Sequence, residues 1–124
     1  MPQTRIVLFR ELDGRVPLVD WLEKLPDKAK DKCIVRLLRL RELGHELRRP
    51  EADLLRDGIY ELRVGFRGMN YRMLYFFHSD VAAVLTHGLT KERVVPATEI
   101  DRAVRRMKQF KSNPAQHEAE MTYG

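Results

Sequence analysis

Within the segment from Gly58 to Lys91 stand Arg63, Arg72, His87 and Lys91, a set of side chains whose chemistry suits a phosphate diester. Cutting RNA requires a proton taken from the 2′-hydroxyl, charge stabilised on the pentacoordinate phosphorane, and a proton given to the leaving 5′-oxygen. Arginine does not titrate usefully, so Arg63 and Arg72 are read as the charge-stabilising pair, each able to donate two parallel hydrogen bonds. His87 suits acid or base work near neutral pH. Lys91 adds charge or, if neighbouring cations lower its pKa, a proton. Phe76, on the same predicted face, offers a ring on which a base can stack. Each group also has a plainer role: the arginines as solvated strand residues paired with Glu61 or another carboxylate, His87 as a donor to a carbonyl, Phe76 as cover for an apolar patch.

Three strands must bring these groups together. Tyr60, Leu62, Val64 and Phe66 alternate with Ile59, Glu61, Arg63 and Gly65, and Tyr71, Met73, Tyr75 and Phe77 repeat the period. An even-length hairpin loop around Arg67-Gly68 places Arg63 and Arg72 on one face, opposite the apolar set. A two-residue loop at Ser79-Asp80 then sets Phe77 opposite Ala82 and Arg72 opposite His87. Like charges this close cost about 0.2–1 kcal/mol per pair unless an anion lies between them, and phosphate is the obvious anion. The face carrying them is expected to be left open by the helices.

The remaining elements frame that sheet. Arg5 to Arg10 reads as a first strand ended by Asp13-Gly14. Pro17 opens a helical turn that runs to Leu25, with Trp21 as a core anchor, before Pro26 stops it. From Asp27 to Leu43 a longer helix carries the apolar stripe Ala29, Cys33, Val35, Leu37, Leu40 and Leu43, and Gly44 suits its end. His45 to Asp57 reads as a loop. Pro96 and Thr98 lead a last helix that buries Ile100, Ala103, Val104, Met107 and Phe110, and the residues beyond Lys111 have no periodicity. The predicted class is α+β: a small antiparallel sheet with an N-terminal helical hairpin and a C-terminal helix, in the order β-α-α-β-β-β-α. One domain, residues 1–111, is expected, followed by a flexible tail, 112–124.

The totals exclude several function classes. A chain of 124 residues builds one core. Its single cysteine, Cys33, leaves no internal disulfide, and the four histidines lack paired spacing, so neither a metal site nor a cofactor is predicted. There is no GxxxxGK[ST] loop, GxSxG elbow or CxxC pair. Apolar runs are short and broken by charge, so neither a transmembrane helix nor a signal peptide is read, and a cytoplasmic location is expected. The net charge of +5 is unevenly placed, with basic excess in two helical stretches, Asp27 to Arg49 and Ala97 to Lys111. Such clustering favours a nucleic-acid or acidic partner, although lysine and arginine also serve merely to solvate helices.

Three motifs in this order, LRDGIYELRV, YRMLYFF and LTHGLTK with a proline-led helix after them, resemble the RelE/HigB superfamily of bacterial toxins, most closely its HigB-like, phage-related branch. The resemblance spans roughly Val16 to Phe110. It implies a RelE-like fold and a ribosome-dependent endoribonuclease that enters the ribosomal A site and cuts messenger RNA. It also implies a cognate antitoxin, often one with a helix-turn-helix domain. Position by position, it implies that Arg72 acts on the scissile phosphate, with Arg63 and Lys91 as further basic catalytic groups. Lys32 and Arg36 on the basic helix, Arg67 in the first turn, Arg93 past Lys91, and Phe76 are the RNA contacts of this reading. Two departures leave the general base open: Glu61 stands where some relatives place a lysine, and Thr90-Lys91-Glu92-Arg93 replaces the usual double lysine. The same face admits two other readings, a non-catalytic nucleic-acid-binding or regulatory module, and a protein-interaction domain for an acidic partner.

Overall fold

Residues 3–90 and 94–123 are described by the structure, a computed structural model. Strand β1 (Arg5–Phe9) is followed by helices α1 (Pro17–Glu23) and α2 (Asp27–Leu43), each begun where a proline sets the entry. Gly44, at φ +51°, ends α2, and a side chain there would also meet Thr4. The helix buries Ala29, Cys33, Leu37 and Leu40, a three-to-four-residue spacing that gives one stripe. Val35 departs from the expected stripe and is 58% exposed, because a residue two positions from both Cys33 and Leu37 points to the far side. Burial pushes the Cys33 thiol up to about 12, so it packs as a small apolar group.

Four strands then form a meander: β2 (Ala52–Arg56), β3 (Ile59–Phe66), β4 (Met69–His78) and β5 (Ala82–Thr90). After them come α3 (Ala97–Ser112), a single turn α4 (Pro114–His117) and β6 (Glu118–Glu120). The α+β class is as predicted, and the arrangement is consistent with a RelE-like fold. Three features differ. Strand β2 occupies part of the predicted loop, because Asp57 and Gly58, at φ +53° and +81°, make a hairpin turn that reverses the chain onto β3. The sheet, in the order β2-β3-β4-β5-β1-β6, is mixed rather than antiparallel, since β1 runs parallel to β5. Enough chain lies between those two strands to make the crossover that parallel pairing needs. Finally, residues read as a loose tail pair with β1 as β6, and the Tyr123 hydroxyl donates to Glu23 of α1.

The sheet has a core on each face. Ile6, Leu8, Leu62, Met73, Tyr75 and Leu85 meet α1 and α2. Val7, Phe9, Ile59, Leu74, Phe76 and Val84 meet Ile100, Ala103 and Phe110 of α3. The expectation of an open second face is therefore wrong over most of its area. Continuous apolar runs, Met73 to Phe77 and Val81 to Leu85, are the mark of strands covered on both sides.

Gly88 shows how tightly the first layer sits. A Cβ there would overlap the six-membered ring of Trp21 on α1. Overpacking of this kind costs about 1–3 kcal/mol. Gly88→Ala should lower the unfolding free energy by that amount in a urea titration, and an unchanged midpoint would show that the tryptophan moves aside freely.

Candidate functional site

The β3–β4 turn decides where the arginines go. Arg67 and Gly68, at φ +51° and +79°, form a two-residue loop closed by the Phe66–Met69 pair. Counting back from it puts Arg63 directly opposite Arg72, on the face predicted for them. The next connection differs from the prediction. Ser79, Asp80 and Val81 make a three-residue loop that pairs Phe77 with Ala83 instead of Ala82. Left uncorrected, this slip would turn His87 to the other face. A bulge at Thr86 restores the parity, so that His87 lies opposite Leu74 and Leu89 opposite Arg72.

Carboxylates, not solvent, surround the arginine pair. Glu61, only 2% exposed, accepts from Arg72 Nη1 at 2.8 Å and lies 3.2 Å from Arg63 Nε. Asp53 Oδ2 lies 3.1 Å from Arg63 Nη2 and 3.0 Å from Arg49 Nε. The result is a ladder, Arg72–Glu61–Arg63–Asp53–Arg49, that climbs from β4 to the sheet edge with three cations against two carboxylates. Arg72 has 14% of its side chain exposed and Arg63 36%, so Arg63 is the more accessible of the cross-strand pair. Among the described residues the buried Nε–H of Arg72 finds no acceptor, a donor that the ladder leaves unsatisfied.

His87 does not meet the expectation of an acid or base near neutral pH. It is 5% exposed, its Nε2–H donates to Glu99 Oε1 of α3 at 3.0 Å, and its Nδ1 lies 3.0 Å from the Thr86 hydroxyl. A carboxyl oxygen at Nε2 and a hydroxyl, able to donate, at Nδ1 assign the ring the neutral Nε2–H tautomer. Burial, reinforced by Arg106 and opposed by Glu99, lowers its pKa to about 4. The ring therefore ties α3 to β5. A folded pKa below the unfolded value means that the folded state binds fewer protons. Its stabilising contribution is full above about pH 6.5 and is lost as pH falls toward 4, amounting to no more than about 3 kcal/mol. Melts between pH 7.5 and 4.5 should show a shallower loss of stability for His87→Gln than for the parent, and equal slopes would refute this assignment.

The other predicted contacts scatter. Phe76 is on the predicted face but 1% exposed, with the Phe110 ring edge-on at 5.7 Å, so it has no face to offer a base. Arg36 is half-buried, donates to the Arg63 carbonyl and lies 3.8 Å from Glu51, which makes it a buttress of β3 rather than a surface contact. Lys32 and Arg67 are exposed and flank the Phe66 ring at 5.3 and 5.1 Å. Lys91 and Arg93 lie outside the described residues. Asp53 and Arg49 are not among the residues the sequence points to, because their segment reads as loop. The Asp57-Gly58 turn, flanked by Leu54, Leu55 and Ile59, was the signal for that strand.

A family model for phage derived proteins of the Gp49-like type (DUF891) matches residues 20–108, more than two thirds of the chain. No curated protein matches it.

Proposed function

Because the chain belongs to the Gp49-like family of phage-derived proteins, a toxin-like family related to the RelE/HigB type, we propose that it is the toxin of a toxin–antitoxin pair. In this reading it is a metal-independent endoribonuclease that cuts messenger RNA on the ribosome, entering the A site, and it is held inactive by a cognate antitoxin of the helix-turn-helix kind. One observation carries the proposal: Arg63 and Arg72, from neighbouring strands, are direct cross-strand partners on one face. Two guanidiniums so placed can donate to the non-bridging oxygens of one phosphate as charge builds on them. Lys91, beyond the last strand of the meander, supplies further charge or a proton. Lys32 and Arg67, exposed at the same end of the sheet as the β3–β4 turn, hold flanking phosphates.

Glu61 and Asp53 already hold the arginines, and that favours one alternative, a module on the same fold that binds nucleic acid without cutting it. A purified translation reaction separates the two. With ribosomes present, the intact chain cuts the message and Arg72→Ala does not. Message left whole by the intact chain, with ribosomes bound, would end the catalytic reading and favour the binding module.

A further inference from the structure

Beyond the reach of α2, at the free edge of β2, the surface dips into a cavity of about 390 Å³. Leu47, Ala52 and Leu54 give it an apolar lining, Tyr60 is an aromatic wall, and Arg48 and Arg49 stand beside them. The volume lies within the roughly 300–1,000 Å³ usual for small-molecule sites. Register explains the grouping. Leu54 pairs with Tyr60 and Tyr60 with Tyr75, so the three side chains share one face. Tyr60 stacks on the buried Tyr75 ring at 5.3 Å and 21°, which fixes it as a rigid platform. Leu54 is 53% exposed and the Arg49 side chain 76%, so an apolar side chain and a charged one both face solvent at the same hollow.

We infer that this cavity is a nucleotide subsite for single-stranded RNA, with the base against Tyr60 and Leu54 and its phosphate on Arg48 and Arg49. The inference rests on the endoribonuclease reading and adds to it a place for a nucleotide flanking the cut. Three observations favour a nucleotide over an added peptide strand. The edge strand is short and bulged at Leu55, which breaks the backbone ladder that a peptide would need. An aromatic wall beside two guanidiniums matches a unit that is flat and apolar at one end and anionic at the other. Asp53, which lines the cavity, is shared between Arg49 and Arg63, so one carboxylate links this hollow to the arginine pair on the opposite face. A strand of RNA rounding the β2 edge would meet both.

The test is a titration of the full chain, labelled at leucine and alanine methyls and at tyrosine rings, with a 2′-O-methyl RNA tetranucleotide that cannot be cut by 2′-hydroxyl attack. The Leu47, Ala52, Leu54 and Tyr60 signals should shift and saturate together. Arg48→Ala/Arg49→Ala should weaken the affinity roughly tenfold, and Tyr60→Leu should do the same without loss of fold. Shifts confined to the neighbours of Arg63 and Arg72, with the cavity signals still, would overturn the inference and leave the nuclease reading standing. Cavity shifts produced by an acidic peptide but not by the oligonucleotide would overturn it in favour of a protein partner. Saturable shifts from the oligonucleotide together with an uncut message in the translation reaction would keep the subsite and remove the nuclease.

Discussion

Replacing Arg72 with alanine should lower ribosome-dependent message cleavage by about 10²–10³-fold, the loss typical of removing one preorganised donor from a developing oxyanion. Arg72 is held more firmly than Arg63, with its guanidinium 2.8 Å from a buried carboxylate, so it is the group whose position is set before substrate arrives. A preset donor stabilises the transition state without reorganising, and that advantage appears in kcat. Arg72→Lys keeps the charge but not the planar fork, and should recover only part of the rate. Thermal melts of both variants must accompany the assay, since the alanine also strips a partner from Glu61. Full cleavage by a folded Arg72→Ala chain would remove Arg72 from the mechanism.

Glu61→Ala should cost about 3–5 kcal/mol of stability, because deleting one member of a buried ion pair leaves the other charge uncompensated. Domains are stable by only about 5–15 kcal/mol, so the variant would be marginal. The informative measurement is its rescue. With the carboxylate gone, Arg63 and Arg72 face each other across one strand spacing, and Asp53, shared with Arg49, remains a counter-ion to Arg63 but not to Arg72. Inorganic phosphate should therefore raise the melting point of Glu61→Ala far more than that of the parent, as binding to the folded state alone requires. Equal effects on both would show that the space between the guanidiniums is no anion site. Glu61→Gln, which keeps the shape and can still accept a hydrogen bond, should be milder and less responsive to phosphate.

Much of this was legible in the chain itself. Period-2 alternation marked β3 and β4, and the Arg67-Gly68 turn paired Arg63 with Arg72 correctly, because both rules act over a few residues. The boundaries of α2 and the buried residues Ile100, Ala103 and Phe110 of α3 were also readable. His87 came out on the right face for an incomplete reason: one unforeseen loop residue and one unforeseen bulge cancelled. Phe76 lies on the face that parity predicts but is buried there instead of open to solvent. The run Leu74 to Phe77 had no polar alternate, and a helix was needed to cover it.

Local chemistry thus determined which side of the sheet each arginine takes and where the chain turns. Only the folded whole decided what lies against them. Glu61 sits two residues from Arg63 but becomes its buried counter-ion because β4 brings Arg72 alongside, and Asp53 joins because β2 folds back through Asp57-Gly58. The neutral state of His87 depends on burial and on α3, whose Arg106 stands near the ring, while Glu99 of the same helix, twelve residues away in sequence, accepts its Nε2–H. Side-chain direction is a property of a few neighbouring peptide units, whereas burial and charge pairing depend on elements that meet only after the chain has closed on itself.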